Sequence, residues 1–323
     1  MTDIAVSLLS PGGVDRFQVS EQPALQPGAD EILMRHEAIG MNFLDIYHRN
    51  GTYTLPSYPA VLGVEAAGVV ETVGPGVESV KPGDRVVYGG TPGAYASIRL
   101  LPAARAIPLS ADLSPKIAAA SLLKTMTAYM LLHKTYPVEA GTVILVHAAA
   151  GGLGTILTRW AKHLGATVIG TVSTQEKADF ARSNGADHVI VGRDADIVSE
   201  VRALTDGKGV HVAYDGIGGD MLVKTIHSVR PLGMAASIGQ AAGPIPPLSV
   251  DELRPGKSLS RPSIMAYVAD TANYREAAEA AIAAMRKGII ATVAGEYPLE
   301  EAAKAQAALE SGKVTGSLLL IPG

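Results

Sequence analysis

The stretch His147-Ala148-Ala149-Ala150-Gly151-Gly152-Leu153-Gly154 follows the apolar run Val143-Ile144-Leu145-Val146 and opens a segment of helical character. It reads A-x-G-x-x-G, with Ala149 in the place of the first glycine. Small residues suit a strand that must turn tightly, pass close to a pyrophosphate and pack the next helix on the sheet; the helix N-terminus adds N–H donors and partial positive charge. Alone the spacing is unspecific, but here strand, turn and helix come in the order that gives it meaning. Outward from it, apolar runs at 167–172, 188–190, 210–214 and 234–238 alternate with helical stretches at 153–164, 175–184, 195–204 and 219–229. Such alternation predicts βαβ units and a doubly wound parallel sheet with helices on both faces.

The flanks differ. Residues 1–110 carry short β-rich runs at 31–36, 61–73, 85–88 and 94–100, punctuated by Pro-Gly, Gly-Pro and Gly-Gly, which predict an antiparallel barrel or sandwich. Ser114-Pro115 offers a cap and a proline at the first helical position, predicting an unbroken helix over 116–136 that bridges two domains. Helical stretches at 272–287 and 299–311 precede an apolar run at 317–321 that is placed to return to the first domain. The reading is α/β: a β-rich domain over 1–124, a Rossmann domain over 125–261, and a return over 262–323.

Composition narrows the chemistry. The 323 residues hold 27 Lys+Arg, 31 Asp+Glu and no cysteine, for a formal net charge of −4. No basic excess is at hand to neutralise a run of phosphates, which argues against nucleic-acid binding. Absence of cysteine removes disulfides, thiolate nucleophiles and Cys-ligated zinc. No segment reaches the ~20 apolar residues that span a bilayer, and nothing resembles a secretory signal; a cytoplasmic protein is expected.

The end of the second strand selects the dinucleotide. An NAD site usually places Asp or Glu ~20 residues beyond the glycines, on the ribose 2′-hydroxyl. This chain has Ser173-Thr174-Gln175-Glu176-Lys177, with no acid at the strand tip; Ser173, Thr174 and Lys177 offer donors to a 2′-phosphate, so NADPH is expected over NADH. Asp215 and the run Ile238-Gly239-Gln240 end later strands at the carboxyl edge, where such sheets bind ligands.

With that turn set after a β-rich domain, the chain resembles, end to end, the zinc-independent quinone oxidoreductases related to ζ-crystallin, in the medium-chain dehydrogenase/reductase superfamily. The residues that carry the resemblance are Ala38-Ile39-Gly40-Met41-Asn42-Phe43-Leu44-Asp45, Gly63-Val64-Glu65-Ala66-Ala67-Gly68, Gly83-Asp84-Arg85-Val86, His147 through Gly154, and Arg261-Pro262-Ser263. It implies a GroES-like catalytic domain built from both chain ends, an inserted Rossmann domain, NADPH as cofactor and a homodimer. Zinc relatives carry a cysteine ligand in the segment matching 38–45 and a histidine in that matching 63–65; here Asn42 lies in the first and Val64 takes the second position, so no metal site is expected.

The activity implied is hydride transfer from NADPH to a quinone. By resemblance, Asn42, Asp45 and Tyr47 lie beside the nicotinamide half, Tyr53 near the acceptor and Thr127 near the nicotinamide, with Lys124 one turn before it. Asn42 can donate to a carbonyl oxygen or the nicotinamide amide, and a tyrosine to a developing oxyanion; read blandly, the tyrosines are packing aromatics and Thr127 a helix residue. The cofactor set is Asn42, Tyr47, Thr127, Ala150, Gly151, Gly152, Leu153, Gly154, Ser173, Thr174, Lys177, Arg193, Asp215, Ile238, Gly239 and Gln240. Arg193 enters because relatives often carry a phosphate-holding tyrosine where this chain has Gly192. Two alternatives remain open: reduction of an enone or alkenal double bond, and a non-catalytic NADPH- or RNA-binding role as in crystallin relatives.

Overall fold

The structure, a computed structural model, describes residues 2–323. Two compact units emerge, Met1–Lys124 with Val268–Gly323, and Thr125–Tyr267. The second holds six strands, Val143–His147, Thr167–Val172, His188–Val191, Val210–Asp215, Val229–Ser237 and Ser258–Ser260. They lie in the order third, second, first, fourth, fifth, sixth, with every neighbouring pair parallel. This is the doubly wound dinucleotide-binding order, whose direction reverses between the first and fourth strands. The inner strands are largely apolar runs because a parallel sheet is covered on both faces; Leu145, Ile169, Ile190, Ala213 and Ala235 bury there with Ile197, Val201, Leu222 and Ile226 of the helices.

This unit runs to Tyr267, past the boundary expected at 261, because the chain stays on it after the sixth strand. Arg261 donates to Ser237 Oγ and Gln240 Oε1, and a short helix, Ile264–Tyr267, follows. The helix expected over 116–136 begins as read, with Ile117 N–H donating to Ser114 Oγ at 3.2 Å. It is α-helical over Pro115–Tyr129 and then widens to a π-helix over Met130–Thr135, where Tyr136 N–H reaches back to Leu131 O.

In the other unit the long strand Glu31–Gly40 pairs antiparallel with Glu65–Val73, Ile98–Pro102 and the C-terminal Ser317–Ile321. The last of these is buried over four of its five residues, which is why the chain end joins the N-terminal core. The strand expected over 61–73 starts at Glu65. Before it, Gly63 sits at φ +80°, and a Cβ there would stand 2.4 Å from the Tyr95 ring. Only glycine admits that ring, which carries the Tyr95 hydroxyl inward.

Candidate functional site

In the β-rich unit the strand Glu31–Gly40 ends where Asn42 caps the helix Phe43–Arg49. Asp45, third in that helix, accepts at Oδ2 from Asn42 N–H (3.0 Å) and from the Tyr95 hydroxyl (3.0 Å). It is fully buried, and its Oδ1 has no hydrogen-bond partner among the described residues. Burial pushes its carboxyl up to about 7, against the two hydrogen bonds and the Lys124 charge, which pull it down. Gln306 Nε2 supports the Tyr95 hydroxyl at 3.3 Å, and Arg49 ties Gln306 and Glu310 to the helix.

Beside this lies a second buried group. Glu65 Oε1 accepts from Asn42 Nδ2 and Lys124 Nζ, each at 2.8 Å, and Oε2 from Leu123 N–H at 2.7 Å. Gly40 lets them meet, since a methyl there would stand 2.6 Å from Glu65 Oε1 and 1.9 Å from Ala119 O. Asn42 thus spends a side-chain N–H on Glu65, and with Asp45 it forms a capping box at the head of the helix. The rings of Phe43, Tyr47 and Tyr53 form a row with centroids 5.4 and 5.2 Å apart; Tyr47 is buried and Tyr53 half-exposed at 36%. Asn42, Asp45, Tyr47 and Tyr53 therefore share one region of this unit.

The remaining predicted residues lie in the other unit. Ala148 takes φ +51° and turns the chain so that Gly151 N–H donates to Ala148 O at 2.8 Å. Gly151 caps the helix Gly152–His163 without a side-chain hydrogen bond, leaving the first-turn N–H groups of Gly152, Leu153 and Gly154 to an outside acceptor. A methyl on Gly154 would stand 2.3 Å from Ala148 O, so the third glycine serves close helix–strand approach. Ala149 fits the first glycine's place because Gly170 on the neighbouring strand lacks a side chain: a Cβ there would stand 2.8 Å from the Ala149 methyl. Gly170→Ala should therefore cost about 1–3 kcal/mol by overpacking, and Ala149→Gly in the same chain should recover most of it, as read by thermal melts.

At the second strand's end Ser173 is half-buried and Thr174 exposed. Thr174 Oγ1 accepts from Lys177 N–H at 3.3 Å, so this hydroxyl works as a helix cap. Burial first, and then the Arg193 charge, lower the Lys177 amine. Thr127 lies half-buried in the last turn of Pro115–Tyr129.

Asp215 corrects an expectation. It is fully buried; Oδ1 accepts from Ile217 and Gly218 N–H (2.7 and 3.0 Å) and Oδ2 from Thr225 Oγ1 (2.9 Å). Its carboxylate holds the turn after the fourth strand rather than reaching a ligand itself. Thr225 Oγ1 also meets His147 Nε2 at 3.0 Å, and His147 Nδ1 meets Thr171 Oγ1, so the ends of the first, second and fourth strands are laced together. Burial lowers His147 despite Asp215, keeping it neutral. Ile238 N–H donates to Asp215 O, Gly239 is buried, and Gln240 accepts from Arg261.

Two site members escaped the residue-by-residue reading: Glu65, quoted only within a motif, and Lys124, placed near the site without a partner. A lone carboxylate in Leu62-Gly63-Val64-Glu65-Ala66-Ala67 and a lone ammonium in the apolar helix were the signals. Among the described residues no group of three or more His, Cys, Asp or Glu could hold a metal ion, and no helix is long and apolar enough to cross a membrane.

Comparison with known proteins agrees with this layout. Residues 28–111 match the alcohol dehydrogenase GroES-like domain and residues 152–281 the zinc-binding dehydrogenase family. A 2-haloacrylate reductase from Burkholderia sp is 43% identical over 321 residues, covering 96% of both chains. Quinone oxidoreductase 1 of Escherichia coli is 41% identical, covering 96% of this chain and 97% of its own. A crystal structure of Escherichia coli quinone oxidoreductase complexed with NADPH superposes with a TM-score of 0.95 at 40% identity, over 99% of this chain and 100% of that one. Doubly wound sheet, GroES-like unit, absent zinc ligands and near-full-length identity converge: the chain belongs to the zinc-independent, ζ-crystallin-like quinone oxidoreductases of the medium-chain dehydrogenase/reductase superfamily.

Proposed function

We propose that the protein is an NADPH-dependent reductase of electron-poor conjugated carbonyls, with a quinone as acceptor. The observation that carries the cofactor choice is the pair of cations at the ends of two neighbouring parallel strands, Lys177 in the helix after the second and Arg193 just after the third, with no acid at the second strand's tip. The cofactor fits this unit: the N–H groups of Gly152 to Gly154 suit a pyrophosphate, and Lys177 with Arg193 and Ser173 suit a 2′-phosphate. Ile238, Gly239, Gln240, Thr127, Asn42 and Tyr47 are proposed on its nicotinamide side. When bound, NADPH supplies the hydride. Asp45, whose carboxyl burial raises to about 7, is the proposed acid–base group near neutral pH. Tyr53 offers a half-exposed hydroxyl to the acceptor oxygen.

A second reading, reduction of an activated carbon–carbon double bond, is favoured by the 43% identity to 2-haloacrylate reductase. Both acceptors are electron-poor conjugated systems. Anaerobic NADPH oxidation with quinones, simple enones and 2-haloacrylates separates them; NADPH binding with no turnover on any acceptor would refute both. Lys177→Ala and Arg193→Ala are each expected to weaken NADPH binding about tenfold or more while sparing NADH, since each removes a charge-assisted hydrogen bond of ~1.5–3 kcal/mol. Fluorescence titration with both nucleotides checks it.

We also propose a cytoplasmic homodimer. The edge strand Ser258–Ser260 carries exposed Leu259, and exposed Leu232 donates its N–H to Gly256 O just before it, apolar surface suited to a second copy. Leu259→Glu should yield a monomer by sedimentation.

A further inference from the structure

The two oxygens of Asp45 are unlike. Oδ2 accepts from Asn42 N–H and from the Tyr95 hydroxyl, each at 3.0 Å, while Oδ1 is buried with no hydrogen-bond partner among the described residues. A chain of donors stands behind the Tyr95 hydroxyl. It starts at Arg49, whose side chain is 4% exposed and is tied to Glu310 and to Gly12 O. A guanidinium keeps its charge and has no acceptor, so Arg49 Nη1 can only donate to Gln306, and does so at Oε1, 3.1 Å away. That sets the Gln306 amide one way round and turns Nε2, a donor only, to the Tyr95 oxygen at 3.3 Å. The hydroxyl must accept there, and its single hydrogen is left for Asp45 Oδ2. Burial first, and then the Asp45 charge, hold the Tyr95 hydroxyl well above its ordinary value, so the hydrogen stays on it. All these groups belong to the β-rich unit.

We propose that Arg49, Gln306 and Tyr95 are positioning residues that fix the site of protonation on Asp45: they keep Oδ2 an acceptor, so the carboxyl holds its proton on Oδ1. The inference rests on the acid–base reading of Asp45 given above, and says from which oxygen the proton leaves. Both lone-pair directions of Oδ2 face donors, and a hydrogen placed there would meet another hydrogen. The other charged groups that bear on Asp45 are Lys124, which favours its charged form, and Glu65, which favours its neutral one. They act by charge alone, whereas the chain from Arg49 acts on one oxygen.

Infrared difference spectra of the full chain across the Asp45 titration locate the proton, the Asp45 bands being those that Asp45→Asn removes. In the acid form the carbonyl stretch reports the oxygen without the proton. In wild type that oxygen is Oδ2 with two hydrogen bonds, and the band should lie low. Tyr95→Phe leaves one hydrogen bond and should raise the band; the titration midpoint should rise by about one pH unit, since the charged form loses a donor. Gln306→Glu keeps the shape of the side chain but sets an acceptor where Nε2 was. The Tyr95 hydrogen should turn to it, the Asp45 proton should move to Oδ2, and the unpartnered Oδ1 carbonyl should give the highest band of the three. In Tyr95→Phe/Gln306→Glu the band should return to that of Tyr95→Phe, because the second change acts through the hydroxyl. A wild-type band at the position of an unbonded carboxylic acid, or a Gln306→Glu shift that persists without the hydroxyl, would overturn the proposal. The wild-type band decides the placement of the proton even where a variant fails to fold. Separately, kcat with a quinone is followed against pH, and its limb near 7 should move with the infrared midpoint in Tyr95→Phe. If Asp45→Asn leaves kcat unchanged at every pH, the acid–base reading falls, and the bands still decide which oxygen holds the proton.

Discussion

Lys124→Met is expected to lower the free energy of unfolding at neutral pH by about 3–5 kcal/mol, the usual result of stranding one member of a buried ion pair. The lysine side chain is 9% exposed and the Glu65 side chain fully buried, so solvent cannot take over from the lost ammonium. Removing both charges is another matter. Glu65→Gln/Lys124→Met leaves a neutral amide able to accept from Leu123 N–H and an apolar chain of similar length, and should lie much nearer wild type in stability. Urea unfolding of the three proteins measures the difference. Equal losses in the single and double variants would mean that packing, rather than charge, sets the cost.

Asp45→Asn should change the pH dependence of stability by an amount of similar size. Burial raises this carboxyl from 3.8 to about 7. In the unfolded chain its proton leaves near the lower value, so across that interval the folded state holds the extra proton, and stability falls as pH rises. The contribution is complete below about pH 4 and gone once pH passes about 7. Three units at ~1.4 kcal/mol each give a swing on the order of 4 kcal/mol. Asparagine keeps an oxygen for Asn42 N–H and the Tyr95 hydroxyl but does not titrate. Relative to wild type, the variant should therefore gain that amount between pH 4 and pH 8, as measured by urea unfolding at both. It should also lose any limb of the kcat profile near 7. A constant offset between the two proteins at all pH values would refute the assignment.

Much of this was legible along the chain, and what was not has a common cause. The parallel strands announce themselves because each is a short apolar run between capped helices, and Thr167–Val172 and Val143–His147 fall where alternation puts them. The glycine turn is equally local. Asp215 was misread as facing the cofactor because its partners, the N–H groups of the next turn and Thr225, complete a structural knot that sequence spacing does not reveal. Asn42 was read as a donor to a ligand, whereas its nitrogen meets Glu65, 23 positions away. The π-helical turn at Met130–Thr135 carries no breaker in its sequence, only Pro137 beyond it.

The C-terminal strand has a consequence for how the molecule is made. Ser317–Ile321 pairs with Ile39 and Gly40, and Met41 N–H donates to Leu318 O. At about 5–20 residues per second, a ribosome finishes Gly40 roughly 15–55 s before it reaches Ser317. The middle unit, one unbroken length of chain, is complete well within that interval and is free to fold first. Ile39 and Met41 must meanwhile wait, apolar and incompletely covered. So must Tyr95 and Arg49, whose partner Gln306 also arrives late. The surroundings of Asp45 are thus the last part of the protein to be assembled, and nascent chains halted before residue 306 should contain a formed dinucleotide fold beside an unfinished acid.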